Sequence, residues 1–174
     1  MTTVTKTPSY RVFQTRRGKE ALKMFVDFLE THFGPLQGLS VNEANYSTGS
    51  WSRPDVVFRQ FGIEVKRVEL MAKARIPDKD FYYAHLNNLS INHKSWDRMK
   101  TWCRQNQKKP VLVVVLTCGF QEPMFIRFNQ FQVNALQQAQ RSKKWFQLNA
   151  WGVLREGIIL TPWNIHRDFE DVDP

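Results

Sequence analysis

The chain has 174 residues, 42% of them hydrophobic and 24% charged, enough for one domain with a full core and no need of disulfide staples. Twenty-five Lys and Arg stand against 16 Asp and Glu, a formal charge of +9, which suits a polyanionic partner, most commonly nucleic acid. The sequence contains no apolar run of about 18 residues, so no membrane span is expected, and no basic amphipathic helix stands out to bind a membrane surface. Cys103 and Cys118 have no metal-like spacing and read as small buried residues of a reducing, cytoplasmic compartment.

The opening stretch, rich in Thr and Arg, reads as a flexible basic arm. A first helix is predicted over residues 19 to 33, where Leu22, Phe25, Val26, Leu29 and Phe33 recur at helical spacing and Gly34-Pro35 stops the run. LSVNEANY is a short strand, followed by the polar loop STGSWSR. Pro54 opens a strand at a position where a missing N–H is tolerated. PDVVF and GIEVKRVEL then form a hairpin-like pair around Arg59-Gln60-Phe61-Gly62. Residues 71 to 90 are polar and read as loop or short helices. A second helix is predicted from Asn92 to Gln105, with Trp96, Met99 and Cys103 on one face. VLVVVLT after Pro110 is an unbroken β-branched run, as in a strand buried on both faces. MFIRF is a further strand, Phe131 to Ser142 a third helix, GIILTPW a last short strand, and DFEDVDP a loose acidic tail. The order is helix, strand, strand, strand, helix, strand, strand, helix, strand: an α/β sandwich with a central mixed β-sheet flanked by helices.

Three charges stand inside the hairpin. Strand side chains alternate faces, so Glu64 and Lys66 point the same way, and Asp55 on the partner strand can converge with Glu64. Two close carboxylates repel unless a cation joins them. Mg2+ does this with one or two carboxylates, several waters and substrate phosphate. A neighbouring lysine can hold and help deprotonate an attacking water or stabilise charge on the phosphate. The set is suited to phosphodiester hydrolysis. The competing reading is an exposed surface pair worth at most about 1 kcal/mol.

Pro54-Asp55 followed by Glu64-Val65-Lys66 resembles the motif of the PD-(D/E)xK nucleases. The leading helix, motif hairpin, following helix and buried strand are similar to the restriction-endonuclease-like core over roughly residues 16 to 128, within a single domain of residues 1–174 whose C-terminal additions are 129–174. The resemblance implies that Asp55, Glu64 and the backbone carbonyl of Val65 bind Mg2+, with Mn2+ able to substitute, and that Lys66 is the catalytic lysine. Arg16-Arg17-Gly18, a Ser-containing loop before the motif and KKPVLVVVL are similar to archaeal Holliday-junction resolvases. The stretch from MFIRF to KKW resembles small restriction or homing endonucleases.

Resolvase-like members carry a further acid on the first helix. Glu20 is the candidate, but at about 100° per residue it projects opposite the apolar stripe, toward solvent, and Leu22 occupies the usual slot. Glu43 is the other candidate. Phosphate contacts are expected from Arg11, Arg16, Arg17, Lys19 and Lys23, from Arg53, and from Lys73 and Arg75; such contacts bind in a salt-dependent way without reading sequence. Arg141, Lys143 and Lys144 form a second basic spot. Trp51 could stack on a base, and His93 and Lys94 open the second helix near the motif. No Gly-rich phosphate loop, CxxC pair, HExxH or GxSxG is present.

The expected activity is Mg-dependent endonucleolytic cleavage of duplex or branched DNA. Since one site cuts one strand, a homodimer or higher symmetric oligomer is expected. The alternatives are a non-catalytic nucleic-acid-binding module on the same scaffold and an RNA nuclease.

Overall fold

The computed structural model describes residues 8–34, 40–41, 53–70, 89–118, 122–147, 157–165 and 169. Among them the elements are α1 (Pro8–Phe33), β1 (Ser40–Val41), β2 (Val56–Phe58), β3 (Phe61–Leu70), β4 (Ser90–Asn92), α2 (His93–Gln105), β5 (Lys109–Cys118), β6 (Met124–Asn129), α3 (Gln130–Ala139), β7 (Trp145–Gln147) and β8 (Ile158–Ile159). The protein is thus a mixed α/β fold. Six strands form one sheet in the order β1-β2-β3-β5-β6-β8, and β4 pairs with β7 in a separate ribbon.

The centre of the sheet is the parallel pair β3–β5, in register from Phe61 opposite Lys109 to Leu70 opposite Cys118. Every other pairing is antiparallel. Parallel neighbours need a long crossover, and here it includes α2. Val111 to Leu116 are at most 1% exposed, as the unbroken VLVVVL run requires of a strand covered on both faces.

Alternation along β3 divides the core. Phe61, Ile63 and Val65 face α1, packing with Ala21, Leu22, Phe25 and Leu29. Val68 faces the other way, with Trp96, Met99 and Cys103 of α2 and Val133 and Leu136 of α3. Glu64 and Lys66 share the parity of Val68 and therefore the α2 side.

Several boundaries differ from the sequence expectation. Helix α1 starts at Pro8, not Lys19, so residues 8–18 are helix and not a flexible arm. Pro is well suited to a first helical turn, where its missing N–H has no partner to lose, whereas Arg16-Arg17-Gly18 interrupts the apolar period that sequence reading depends on. At its other end Gly34 takes φ 72° and donates to Glu30 O at 2.9 Å, a left-handed stop. Helix α3 ends at Ala139 rather than Ser142, and Trp145 enters a strand. The three-residue strands β4 and β7 carry too little period to be read from sequence. Within LSVNEANY the described strand is Ser40–Val41.

The tail is not wholly loose. Phe169 is fully buried, its ring 5.4 Å from that of Phe61, 6.2 Å from Phe58 and 6.3 Å from Phe25, and its carbonyl accepts from Arg59 Nη1 at 3.0 Å. Phe169 itself is thus a member of the core. Phe169→Ala should cost about 3–5 kcal/mol in denaturant unfolding, the usual range for a buried Phe; a tail without a structural role would leave the midpoint unchanged.

Candidate active site on the β2–β3 hairpin

A two-residue turn, Arg59-Gln60, joins β2 to β3. Arg59 has φ 52°, a left-handed value uncommon outside glycine and used at the first central position of type II′ hairpin turns. The surroundings hold it there. Its guanidinium lies 4.8 Å and 5.1 Å from the ring centres of Phe33 and Phe58, Lys108 Nζ donates to its carbonyl at 2.7 Å, and Lys109 N donates to Gln60 O at 2.7 Å. Gly62, expected in the turn, lies instead within β3, where it allows close approach: a Cβ there would collide with Cys103 Sγ and crowd Pro54.

The register Val56 opposite Ile63 continues to Asp55 opposite Glu64. Asp55 is 4% exposed, and its Oδ2 accepts from the Val65 amide at 2.9 Å. That bond fixes the carboxylate against the β3 backbone, between the two other charged positions. Two residues apart on one face, Lys66 Nζ donates to Glu64 Oε1 at 2.6 Å, with the side chains 31% and 16% exposed.

Burial disfavours the Lys66 ammonium, but the Glu64 charge, the Asp55 charge and the Glu64 hydrogen bond outweigh it and raise its pKa above the ordinary 10.5. Two carboxylates therefore act on one ammonium. Cys103 is part of the same environment: burial, then the Glu64 charge, push its thiol up to about 12 against the pull of Lys108. It stays a neutral thiol and a packing group. Its place beside Glu64 was not legible in sequence, since only the crossover brings α2 over β3.

Asp55, Glu64 and Lys66 are brought together, and Val65 is bonded to Asp55. Glu20 is not brought to them. It does not simply point into solvent either: it accepts from Arg67 Nη1 at 3.0 Å, while Arg67 Nε donates to Thr117 Oγ1 at 3.2 Å. This network is on the α1 face, opposite Glu64 and Lys66, because Arg67 has the parity of Val65. A 26-residue helix lying along the sheet lets its polar edge reach a strand residue that an isolated helical wheel would leave to solvent. Among the described residues no three His, Cys, Asp or Glu side chains gather.

Lys19 and Lys23 are exposed on α1, Lys23 paired with Asp27 at 2.7 Å. Arg11, Arg16 and Arg17 lie on the first half of α1. Arg53 is exposed just before the hairpin. Glu43, Trp51, Lys73 and Arg75 lie outside the described residues. His93 is not turned to the hairpin: its Nε2 donates to Gln140 O at 3.1 Å and its ring packs 5.1 Å from that of Phe146. Trp96 is buried, with Nε1 donating to Asn134 Oδ1 at 3.0 Å.

Compared with protein-family models, curated proteins and solved structures, the chain finds no significant match. Among the described residues no helix is long and apolar enough to cross a membrane.

Asp55 and Glu64 are the residues that could hold a divalent cation. Asp55 and Glu64 offer oxygens at one end of the hairpin, and a hard cation needs only one or two protein carboxylates. With its folded pKa raised, Lys66 contributes stability that is complete below about pH 10.5 and lost as pH climbs through the folded value. Glu64→Gln removes the largest favourable influence. The Lys66 titration, followed by NMR of its ε-CH2, should then shift to lower pH, and the alkaline fall in stability should flatten; an unmoved titration would contradict the pairing.

Proposed function

We propose that the protein is a divalent-metal-dependent endodeoxyribonuclease of the PD-(D/E)xK type on a restriction-endonuclease-like core. The supporting observation is the arrangement at the hairpin: a buried Asp55 bonded to the Val65 amide, beside Glu64 and Lys66 joined on one sheet face. The central parallel pair with α2 in its crossover agrees with that core, and the charge of +9 agrees with a nucleic-acid partner.

Asp55, Glu64 and the Val65 carbonyl would hold Mg2+ or Mn2+. When bound, the ion supplies an acidified water and neutralises phosphoryl charge. Asp55 is preorganised for the task, since its hydrogen bond to the strand leaves it little freedom to lose. Lys66 is an ammonium at neutral pH, its pKa lying above 10.5. It therefore donates: it orients the attacking water or a phosphoryl oxygen and stabilises the charge that develops there. As a base it would first have to lose a proton that Glu64 and Asp55 both help it keep. A single site cuts one strand, so duplex cleavage calls for a homodimer or higher symmetric oligomer. A reducing cytoplasm suits the buried, unpaired Cys103.

A specific observation favours a second reading, a non-catalytic nucleic-acid-binding module: Glu64 is already closed on Lys66, and no third acid joins the pair among the described residues. Plasmid, a four-way junction, single-stranded DNA and RNA, each incubated with Mg2+ and with chelator, separate these readings. Metal-dependent cutting of DNA is expected. Lys66→Ala and Asp55→Asn should each lower the cleavage rate by about 10²–10⁴-fold, the scale of a lost proton-handling or charge-stabilising group, with folding and chelator-phase DNA binding retained. Salt-sensitive binding without cleavage of any substrate would establish the module instead.

A further inference from the structure

On the α2 side of the sheet, where α2 ends and β5 begins, a recess of about 600 Å3 is lined by Lys100, Arg104, Lys108, Lys109, Arg141 and Asp97. Five cationic residues and one carboxylate line it. That carboxylate is already engaged: Asp97 accepts from Gln137 Nε2 at 2.8 Å and is paired with Lys100 at 3.3 Å and Arg141 at 3.4 Å. Lys108 is pinned to Arg59 O at 2.7 Å, and Lys100 Nζ also donates to Asn134 Oδ1 at 3.0 Å and Gln137 Oε1 at 3.1 Å. These bonds build a rigid, positive floor. The exposed Arg104 and Lys109 make no side-chain bond to any described residue and stand ready for a ligand.

The local chain explains the cluster. Helix α2 stops in a Schellman-type turn: Lys108 N donates to Cys103 O at 2.8 Å, Gln107 N donates to Arg104 O at 3.4 Å, and Gln107 takes φ 55°. This reversal brings Arg104 of the last helical turn beside Lys108 and Lys109 at the head of β5. Gln130, the first residue of α3, also lines the recess, so the positive end of that helix dipole adds to the field.

We propose that this recess is a second DNA contact, gripping backbone phosphates of the same duplex whose scissile phosphate lies at Lys66. The partner rests on the nuclease reading above. The geometry is commensurate with it. Lys109 is opposite Phe61 in the sheet, three strand residues from Glu64 and so about 10 Å along the strand. Duplex DNA carries one charge per about 1.7 Å of axis, so several phosphates fall within that interval. Arg104 and Lys109 above this positive floor offer two phosphate contacts, which suits a polyanion with successive phosphates better than one small anion.

The test is binding of a labelled duplex by the full-length protein, with chelator present, across a salt series. Arg104→Ala with Lys109→Ala should reduce the slope of log K against log salt by about 2, about 1 per lost phosphate contact, and weaken binding at least about tenfold at fixed salt. Arg104→Lys with Lys109→Arg should restore the slope. Arg98→Ala, at an exposed cation of α2 outside the recess lining, should not reproduce the loss. A wild-type slope in the Arg104→Ala, Lys109→Ala protein, with cleavage intact, would overturn the recess contact and leave the nuclease reading standing. A wild-type protein that neither binds nor cuts DNA would overturn both.

Discussion

The parallel pairing of β3 with β5 is the constraint from which the rest follows. Ten residue pairs lock the two strands, and the centre of β5 has no contact with water. Backbone groups there have no partner except the neighbouring strands, so register is not negotiable. A slip of one residue would turn Ile63 and Val65 out of the α1 core and drive Glu64 and Lys66 into it. The same pairing demands a crossover, and α2 within it covers the face that carries the charges.

That cover explains the electrostatics. Glu64 and Lys66 are only partly exposed, and the Glu64 charge acts on Lys66 and on Cys103 more strongly than at an open surface. Asp55 is buried more deeply, and its oxygen takes the Val65 amide as partner, which lowers the cost of keeping a carboxylate there. Gly62 is part of the same arrangement: by presenting no side chain it lets Cys103 and α2 descend onto the hairpin. The turn that ends α2 then delivers Lys108 back to Arg59, so the hairpin that carries the acids is tied at its tip to the strand it lies beside.

Much of this was legible in the residues. The apolar stripe of α1, the β-branched run of β5 and the alternation of β3 each have a period that burial imposes, so element type and facing could be read, including the shared face of Glu64 and Lys66. Less was legible where period is short or interrupted. Arg16-Arg17-Gly18 hid the first turns of α1, β4 and β7 are three residues each, and Phe169 stands between acidic residues in the tail. Glu20 is exposed as its helical position implied, but its pairing with Arg67 was not legible, because a helical wheel knows where a side chain leaves its own helix but not which strand residue waits for it.

The sequence alone determined which groups exist and on which side of their own element each one lies: two acids and a lysine on a hairpin, an apolar strand to bury beside it, and an excess of positive charge. These are local properties, set by strand and helix periods and by composition. Only the tertiary structure decided what each group meets. Lys108 on the Arg59 carbonyl, Arg67 between Glu20 and Thr117, and Cys103 beside Glu64 are all contacts between residues that chain spacing leaves unrelated. They exist because a parallel strand pair needs a crossover, and the crossover decides what is folded onto what.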